Sequence, residues 1–318
     1  MLLLKEAIPE IVECIDPDSL RVYAPKPVIF VCGGRYDLSC PSYPHSLRDA
    51  FFRINLGSDK KILLAEELQD AFFPAGHYKD ILQLESDIAQ ISDYVILFSE
   101  SYGSAAELGA FATEEEIARR ILVFMDDYHY SQKSFIVLGP IRSLERRFRT
   151  SVCVLNRAEL GIFKIDHLET LKMDIFTARI KSAMDIRLTD STSREHTTFN
   201  SSRTGHVIKL MTGLIQHYGA LTADEIEAFL YILGIKKKNE EIENLLLCAE
   251  YASWIKSEKR GVNKFFVSIA NEKNSIGYKL LKEAKIDREK WKFDVRSYWK
   301  KHDPERFACI SSAVGTPR

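Results

Sequence analysis

The first half of the chain alternates short, continuous apolar runs with longer segments in which apolar residues recur at helical spacing. A run that is apolar at every position is typical of a strand buried on both faces of a parallel sheet. Strands and amphipathic helices in this alternation predict an α/β domain with a Rossmann-like parallel sheet. The predicted strands are 28–32, 61–65, 94–98, 120–125 and 152–155, the predicted helices are 46–54, 78–91, 108–119 and 166–187, and 134–142 is predicted to be a loop.

The pattern changes after residue 187. Residues 188–205 are polar and almost free of large apolar side chains, which predicts a linker. Three helical segments and two strands follow, which is the order of a winged-helix module, and a basic tail runs from Lys279 to Lys301. The predicted helices are 207–218, 223–233 and 239–252, the second of which is expected to begin with a capping box between Thr222 and Glu225, and the predicted strands are 254–258 and 264–269. The predicted domains are a lead-in, 1–27, a catalytic domain, 28–187, the linker, 188–205, and a winged-helix-like domain with the basic tail, 206–318.

Charge is unevenly distributed along the chain, although the net charge is only −1. Residues 1–189 carry 22 Lys and Arg against 28 Asp and Glu, whereas residues 190–318 carry 22 against 17. The basic second half suggests nucleic acid as a partner. Scatter in charge, or a module that docks a protein and leaves its basic face in solvent, explains the imbalance equally well. The candidate nucleic-acid-binding residues are Lys236, Lys237, Lys238, Lys256, Lys259, Arg260 and Lys264.

Six cysteines are spread through the chain without a C-x-x-C pair and without histidines at zinc spacing. This distribution favours reduced thiols over disulfides or a metal site, so no bound metal is expected. The start of the chain lacks the basic leader and the length of a signal peptide, and no apolar run approaches the roughly 18–20 residues of a membrane span. These features predict a cytoplasmic protein without membrane contact.

The stretch Tyr94–Phe111 combines a buried strand, a polar loop with one glycine, and the start of a helix. Parallel-sheet α/β domains bind ligands at such junctions, outside the carboxyl ends of their strands. Glu107 is predicted to lie in the first turn of this helix, where the helix N-terminus favours an ionised carboxylate. Two interpretations are open, because Glu107 is either a reactive carboxylate or the second member of a capping box that begins at Ser104.

Other polar or small residues follow the ends of the predicted strands and are candidates for binding a substrate. Backbone N–H groups and hydroxyl groups in such loops are donors to phosphate or ribose oxygens. Glu85 and Glu66 are candidates for binding ribose hydroxyls, with surface charges as the alternative; Glu67 shares the position after the second strand. Asp126 either lines the pocket or is a turn residue. The candidate substrate-binding residues are Cys32, Gly33, Gly34, Glu66, Glu85, Ser99, Ser101, Gly103, Ser104 and Asp126.

The segment Leu84-Glu-Ser-Asp-Ile and the segment 93–111 resemble the nucleoside 2-deoxyribosyltransferase-like superfamily. In that superfamily the glutamate of a Gly-Thr/Ser-x-x-Glu-Leu-Gly motif is the catalytic nucleophile. A closer resemblance, over residues 28–142, is to the effector proteins of retrons, which are bacterial anti-phage systems. The second half resembles that group only in its arrangement. The motifs are Cys32-Gly-Gly34, Phe98-x-Glu-Ser101, Gly103-Ser104, Glu107-Leu-Gly-Ala-Phe111 and Ser134-Phe-Ile…Gly139-Pro140.

The resemblance implies an N-glycosidase in which Glu107 acts at a ribose C1′ carbon, as a nucleophile or as the stabiliser of an oxocarbenium-like transition state. Deoxyribosyltransferases usually carry a tyrosine near the end of the first strand and base-binding aspartates near the catalytic loop. Cys32-Gly-Gly34 and Ser99-Glu-Ser101 stand there in this sequence, which disfavours nucleobase exchange. Retron effectors of this kind are linked to cleavage of NAD between ribose and nicotinamide. NAD is therefore expected as the substrate, and no cofactor is expected.

The resemblance also implies partners. They are a retron reverse transcriptase and its branched DNA–RNA product, the msDNA, which would hold a toxic enzyme inactive until phage infection; a higher-order assembly is a further expectation. Two alternative functions stay open. One is a nucleoside or nucleotide deoxyribosyltransferase or hydrolase, and the other is a non-enzymatic DNA-binding protein whose α/β domain senses a nucleotide.

Overall fold

A computed structural model of the chain describes residues 10–37, 39, 42–54, 61–67, 78–163, 168–190, 197–269, 273–284 and 286–314. The chain forms two compact units. The parallel-sheet unit consists of Pro27–Asp70 and Asp80–Glu195, and the antiparallel-sheet unit consists of Met1–Lys26, Ala71–Lys79 and His196–Arg318. The first nine residues, Cys40, His77 and residues 191–196 of the predicted linker lie outside the described residues.

The predicted parallel sheet is present. β1 (Arg21–Val22) belongs to the antiparallel-sheet unit. The next five strands, numbered β2 to β6 along the chain, are parallel and lie side by side in the order β3-β2-β4-β5-β6. All five residues of the central run Val28–Cys32 are buried, as expected for a strand covered on both faces. The arrangement is a Rossmann-like α/β fold. Its strands are β2 (Val28–Cys32), β3 (Lys61–Leu64), β4 (Tyr94–Phe98), β5 (Ile121–Asp126) and β6 (Val152–Leu155).

Helices cover this sheet, and several of them begin at a capping side chain. Ser46 accepts a hydrogen bond from the N–H of Asp49 at the start of α1, and Asp80 accepts one from Gln83 at the start of α2. Phe51 of α1 packs on Phe98 of β4 with ring centroids 5.6 Å apart, so the helix after the first strand is fixed to the sheet. The helices of this unit are α1 (Leu47–Phe52), α2 (Ile81–Ile91), α3 (Tyr102–Thr113), α4 (Glu115–Ala118), α5 (Asp127–Ser131), α6 (Arg142–Arg147), α7 (Arg157–Leu160) and α8 (Met173–Thr189).

Three sequence predictions in this unit were wrong. The helix predicted to continue to residue 119 ends at Thr113, because Glu114 adopts an extended conformation before α4. The predicted loop 134–142 contains a π-helical segment, Val137–Ile141, that leads directly into α6. Pro140 lacks the N–H that a regular helix would use, and the wider π-helical turn accommodates it, so the proline does not end the helix. The helix predicted to begin at residue 166 begins at Met173, because Lys172 is extended and residues 168–172 are not helical.

The antiparallel-sheet unit contains the predicted three helices and hairpin. Thr222 and Glu225 form the predicted capping box at the start of the second of these helices. The hairpin turns at Gly261 and Val262 between the paired residues Arg260 and Asn263. An additional short strand completes a sheet of order β7-β9-β8. The elements are α9 (Thr204–Tyr218), β7 (Ala220–Leu221), α10 (Ala223–Ile232), α11 (Asn239–Tyr251), β8 (Ile255–Arg260) and β9 (Asn263–Ser268).

The residues predicted to form a basic tail are largely ordered into helices of this unit. A short strand, β10 (Ile276–Gly277), pairs with β1 and is followed by α12 (Arg288–His302) and α13 (Pro304–Val314). Trp291, Val295 and Trp299 of α12 are buried, and the indole of Trp299 donates to the carbonyl oxygen of Tyr218 at 2.9 Å. The two tryptophans of the predicted tail, Trp291 and Trp299, therefore serve the core of this unit, whereas Phe293 is 71% exposed.

Candidate active site

The sheet has a topological switch point between β2 and β4. From β2 the chain moves to β3 on one side, and then returns to β4 on the other side of β2. The loops that leave two such strands diverge, and the crevice outside their carboxyl ends is the general ligand-binding position of open α/β sheets. Cys32 ends β2 and Phe98 ends β4, so the candidate residues after both strands share this edge.

The loop after β4 is closed by its own serines. Ser101 is the N-cap of α3, and its hydroxyl accepts a hydrogen bond from the N–H of Ser104 at 3.1 Å. The Ser104 hydroxyl in turn accepts hydrogen bonds from the N–H groups of Glu100 and Ser101. The capping box therefore joins Ser101 to Ser104, and the alternative box between Ser104 and Glu107 is wrong. Glu107 lies in the second turn of α3, not in the first as predicted.

Glu107 is a largely buried carboxyl group with an unused oxygen. Its Oε2 atom is inaccessible to solvent and makes no hydrogen bond with any residue that the structure describes. Burial raises the pKa of Glu107 to about 7, with Arg48 acting to lower it and Glu66 to raise it, while the Cys32 thiol provides a hydrogen bond that favours the carboxylate. Desolvation therefore outweighs the tendency of a helix N-terminus to favour an ionised carboxylate, and Glu107 is only partly ionised near neutral pH.

Glu85 is a second buried carboxyl group at the same site. It projects from α2 and is only 5% exposed, so its interpretation as a solvated surface charge is wrong. Burial, followed by the charges of Glu107 and Glu66, raises the pKa of Glu85 to about 8. Because two neighbouring carboxylates in a low-dielectric site repel each other, a state with one protonated and one ionised group is favoured near neutral pH. The pair thus offers one proton donor and one carboxylate.

Arg48 is a functional candidate that the sequence analysis missed. The side chain is only 3% exposed and forms an ion pair of 2.5 Å with Glu66, whose side chain is 56% exposed. A β-carbon on Gly33 would lie 2.9 Å from the Arg48 β-carbon and 3.1 Å from its δ-carbon, so the glycine allows the arginine to pass close to the end of β2. The available signal was a charged residue beside the apolar positions of helix 46–54.

Glu100 was also missed, and it organises the two glycines and α1. Its carboxylate accepts hydrogen bonds from the N–H groups of Gly34, Leu47 and Arg48 at 3.0, 2.7 and 3.0 Å. A carboxylate at the first turn of a helix satisfies donors that have no partner within the helix. Glu100 thereby ties the loop after β4 to the loop after β2. The signal in the sequence was a lone glutamate between two serines of the central loop.

The remaining substrate-binding candidates have other structural partners. The N–H of Ser99 donates to the carbonyl oxygen of Phe124 at 2.9 Å and extends the sheet. Gly103 is exposed, and a β-carbon there would meet only the Ser101 hydroxyl, at 3.8 Å. Asp126 accepts a hydrogen bond from the N–H of His129 at 2.8 Å and contacts its Nδ1 at 2.7 Å. Asp126 therefore positions the imidazole ring of His129. Any contribution of Asp126 to substrate binding is indirect, through that ring.

Several candidate nucleic-acid-binding residues of the antiparallel-sheet unit are paired with carboxylates. Lys256 and Arg260 contact Glu258 at 2.8 and 3.4 Å, and Lys237 contacts Glu241 at 3.2 Å. The ammonium group of Lys264 lies 4.8 Å from the ring centroid of Phe266. These contacts reduce the positive charge that the hairpin offers to an anion. Lys236, Lys238 and Lys259 are exposed.

The described part of the chain contains free thiols but neither a metal-ligand cluster nor a membrane-spanning helix. Within it, no group of three or more His, Cys, Asp and Glu side chains is arranged to hold a metal ion. Cys14, Cys32, Cys153, Cys248 and Cys309 are free thiols. Among the described helices, none combines the length and the apolar character that crossing a membrane requires.

Fold and site together define a Rossmann-like α/β protein with paired, buried carboxyl groups at its switch point. The sequence matches the STM3845 retron effector protein family over residues 44–257, which is more than half of the chain, and the chain belongs to this family.

Two relatives from Escherichia coli are similar to part of the chain. The protein named "Retron Ec86 putative ribosyltransferase/DNA-binding protein" is 35% identical over 135 residues, which cover 42% of this chain and 43% of the relative. The protein named "Retron Ec73 putative ribosyltransferase/DNA-binding protein" is 32% identical over 72 residues, or 23% of each chain. This chain thus spans less than half the length of either relative.

Proposed function

We propose that this chain is the toxic effector of a retron anti-phage defence system, and that it hydrolyses the N-glycosidic bond of NAD to release nicotinamide. The observation that carries the proposal is the pair of buried carboxyl groups, Glu85 and Glu107, with pKa values raised to about 8 and about 7. Membership of a retron effector family supports the defence role. The position of the pair at the switch point supports a nucleotide substrate.

The reaction breaks the bond between the ribose C1′ carbon and the nicotinamide nitrogen. The bonding electrons stay on that nitrogen, so the cationic ring leaves as a neutral amide and requires no strong acid. The Glu107 carboxylate stabilises the positive charge that develops at C1′, or forms a transient bond to it. A water molecule then adds its oxygen to C1′, and its proton is taken up by Glu107. Free nicotinamide and ADP-ribose are the products.

Glu85 is assigned to the ribose hydroxyl groups. With a pKa of about 8, it is mostly protonated at pH 7 and donates a hydrogen bond while Glu107 is partly ionised. Arg48 lowers the pKa of Glu107 and keeps its carboxylate form accessible near neutrality. This division of roles between two carboxyl groups with different environments is a common arrangement in glycosidic bond cleavage.

Ribosyl or deoxyribosyl transfer is the second candidate. The two E. coli relatives are named as ribosyltransferase/DNA-binding proteins, and a transferase would use the same attack at C1′ with a different acceptor. The buried pair suits both reactions, because each passes through a charged sugar. The acceptor distinguishes them: water gives free ADP-ribose, whereas a nucleobase or a protein group gives a new glycosidic bond.

We further propose that the antiparallel-sheet unit is a winged-helix-like module that binds the reverse transcriptase and msDNA, and that these partners hold the enzyme inactive. The third helix, α11, contains no Lys or Arg and carries Glu240 and Glu241 on its exposed face, which disfavours insertion into a DNA groove. The exposed cation Lys259 lies on the hairpin. Phosphate contact is therefore assigned to the hairpin, not to α11.

The test is nicotinamide release from NAD by the purified protein, alone and together with its retron partners. Glu107→Gln keeps the side-chain size, removes the charge, and is expected to lower kcat at least about a hundredfold. Glu159→Gln is the matched control, because Glu159 is half-exposed and forms an ion pair with the exposed Arg179, so its loss is expected to leave activity unchanged. Release of free base from deoxynucleosides with NAD untouched would overturn the proposal. So would equal activity of wild type and Glu107→Gln.

A further inference from the structure

A cluster of aromatic and cationic side chains lies at the carboxyl ends of β5 and β6, apart from the paired carboxyl groups. Asp126 and Leu155 are register partners at the ends of these strands. Tyr128 and His129 follow β5, and Arg157 follows β6. The guanidinium carbon of Arg157 lies 5.7 Å from the Tyr128 ring centroid, and the His129 ring meets the Tyr128 ring edge-on at 5.3 Å. Loops from two neighbouring strands therefore build one surface.

The geometry of this cluster is fixed by hydrogen bonds from both loops. The N–H of Arg157 donates to Asp127 at 3.2 Å, which ties the start of α7 to α5. Asp126 holds Nδ1 of His129 at 2.7 Å, so the other ring nitrogen, Nε2, is directed away from this carboxylate. Preorganised side chains lose little freedom when a ligand binds.

The cluster is also accessible. Tyr128 is 49% exposed, and the His129 side chain is 44% exposed. Across the described residues, Arg157 forms no ion pair with a carboxylate, so its charge is available to a ligand. An exposed ring with a guanidinium group on one face offers a stacking surface to a nucleobase, and stacking of this kind tolerates any base.

The cluster lies on the same sheet edge as Glu107. The N–H of Ser99, which follows β4, donates to the carbonyl oxygen of Phe124 in β5, so the loop that leads to Glu107 begins beside the end of β5. Neighbouring strands are about 4.8 Å apart, so β4 and β6 are separated by roughly 10 Å. A ligand with two nucleoside halves joined by a pyrophosphate can span such a distance.

We propose that Tyr128, His129 and Arg157 form a subsite for the adenylate half of a pyrophosphate-linked dinucleotide, with the base stacked on Tyr128. His129 Nε2 is placed to bond a ribose hydroxyl or a phosphate oxygen of that half. The identification of the other half as a nicotinamide ribose rests on the proposed function. The subsite predicts a preference for a dinucleotide over a mononucleotide that carries the same reactive bond.

Adenylate binding is tested first, because it requires no catalysis. AMP is titrated into the wild-type protein and into Tyr128→Ala, Tyr128→Phe and Arg157→Gln by calorimetry. Tyr128→Ala is expected to weaken AMP binding about tenfold, since it removes a stacking partner, and Tyr128→Phe is expected to retain it. Phe135→Ala, which removes an aromatic side chain that is 84% exposed elsewhere in the same unit, is the matched control and is expected to bind AMP as wild type does.

The kinetic test compares NAD with nicotinamide mononucleotide, which has the same C1′–N bond but no adenylate. Tyr128→Ala and Arg157→Gln are expected to raise the KM for NAD about tenfold while leaving kcat/KM for the mononucleotide unchanged. An equal loss with both substrates would show a general structural effect and overturn the subsite.

The outcomes separate the subsite from the proposed reaction. If the wild-type protein does not bind AMP, or if Tyr128→Ala binds it normally, the subsite is wrong whatever happens to NAD. If AMP binding depends on Tyr128 but no nicotinamide is released from either substrate, the subsite stands and the proposed reaction fails.

Discussion

The charge of Glu107 raises the pKa of Glu85. Glu85 lies on α2, the helix before β4, and Glu107 lies on α3, the helix after β4. Burial contributes the largest part of the rise to about 8, and the charge of Glu107 is the next cause. Glu107 itself has a pKa of about 7. The two carboxyl groups therefore titrate as a pair in a pH range where surface carboxylates are fully ionised. Several measurements follow from this coupling and from the contacts around it.

The rate of nicotinamide release is expected to depend on pH in a bell shape. Below pH 7 the reaction slows because Glu107 becomes protonated and cannot stabilise positive charge at C1′. Above pH 8 it slows because Glu85 loses the proton that it donates to the ribose. Steady-state kinetics from pH 5 to 9.5 measure both limbs.

Glu85→Gln is the matched variant for that profile. A glutamine remains a neutral donor at every pH, so the alkaline limb should disappear while the acid limb remains. An acid limb near pH 4.5 in the wild type would contradict the role of a buried Glu107.

The unfolding free energy is expected to fall as pH rises from about 4.5 to about 8. The folded state binds the Glu85 proton more tightly than the unfolded chain, in which the pKa of this group stays near 4.5. The stabilisation is therefore fully present below pH 4.5 and is lost as the pH rises to about 8. Each pKa unit is worth about 1.4 kcal/mol, so the total change reaches a few kcal/mol. Urea unfolding at pH 5.5 and pH 8 measures it.

Glu85→Gln should lose the part of this pH dependence that comes from Glu85, should retain the part that comes from the raised pKa of Glu107, and should be more stable than wild type at pH 8. Glu159→Gln, a half-exposed carboxylate, should retain the wild-type dependence. A wild-type protein whose stability is flat between pH 5.5 and 8 would mean that these carboxyl groups are solvated.

Gly33→Ala is expected to destabilise the protein by about 1–3 kcal/mol, because the added methyl group would lie 2.9 Å from the Arg48 β-carbon and 3.0 Å from the Phe98 β-carbon. Gly109→Ala is the control, since nothing that the structure describes, apart from the neighbouring backbone of α3 itself, lies within 4 Å of the added carbon. Removing a helical glycine there should stabilise by up to about 1 kcal/mol. Thermal unfolding measures both, and equal effects at the two positions would refute the close approach of Arg48.

Glu258→Gln is expected to strengthen nucleic-acid binding by the antiparallel-sheet unit. Burial alone would raise the pKa of Glu258, but hydrogen bonds from Lys256 and Ser312 lower it to about 2, so the group is always ionised at working pH. Its loss frees the positive charges of Lys256 and Arg260 for phosphates.

The measurement is the salt dependence of binding to a branched DNA–RNA probe. Lys259→Glu should reduce the affinity and flatten the salt slope, because Lys259 is an exposed cation of the hairpin. Lys290→Glu, an exposed change outside the hairpin, is the control. Identical salt slopes in all four proteins would assign this face to protein docking.

Much of the fold followed from local patterns. The run Val28–Cys32 is apolar at every position, and only a strand covered on both faces buries every side chain of such a run. Thr222 and Glu225 lie three residues apart and form the predicted capping box. The same rule failed at Ser104 and Glu107 because Ser101, three residues earlier, offered an equivalent cap. Local rules do not rank competing caps.

The sequence by itself determined the strands of the parallel sheet, the two strands of the hairpin and most helices, because periodicity and capping act between near neighbours. Only the tertiary structure decided the state of Glu107 and the roles of Glu85, Arg48 and Glu100. Arg48 packs on Gly33, and Glu100 bonds to Gly34 from the next strand of the sheet. A pKa depends on burial and on charges brought close through space, and neither is encoded in the spacing of residues along the chain.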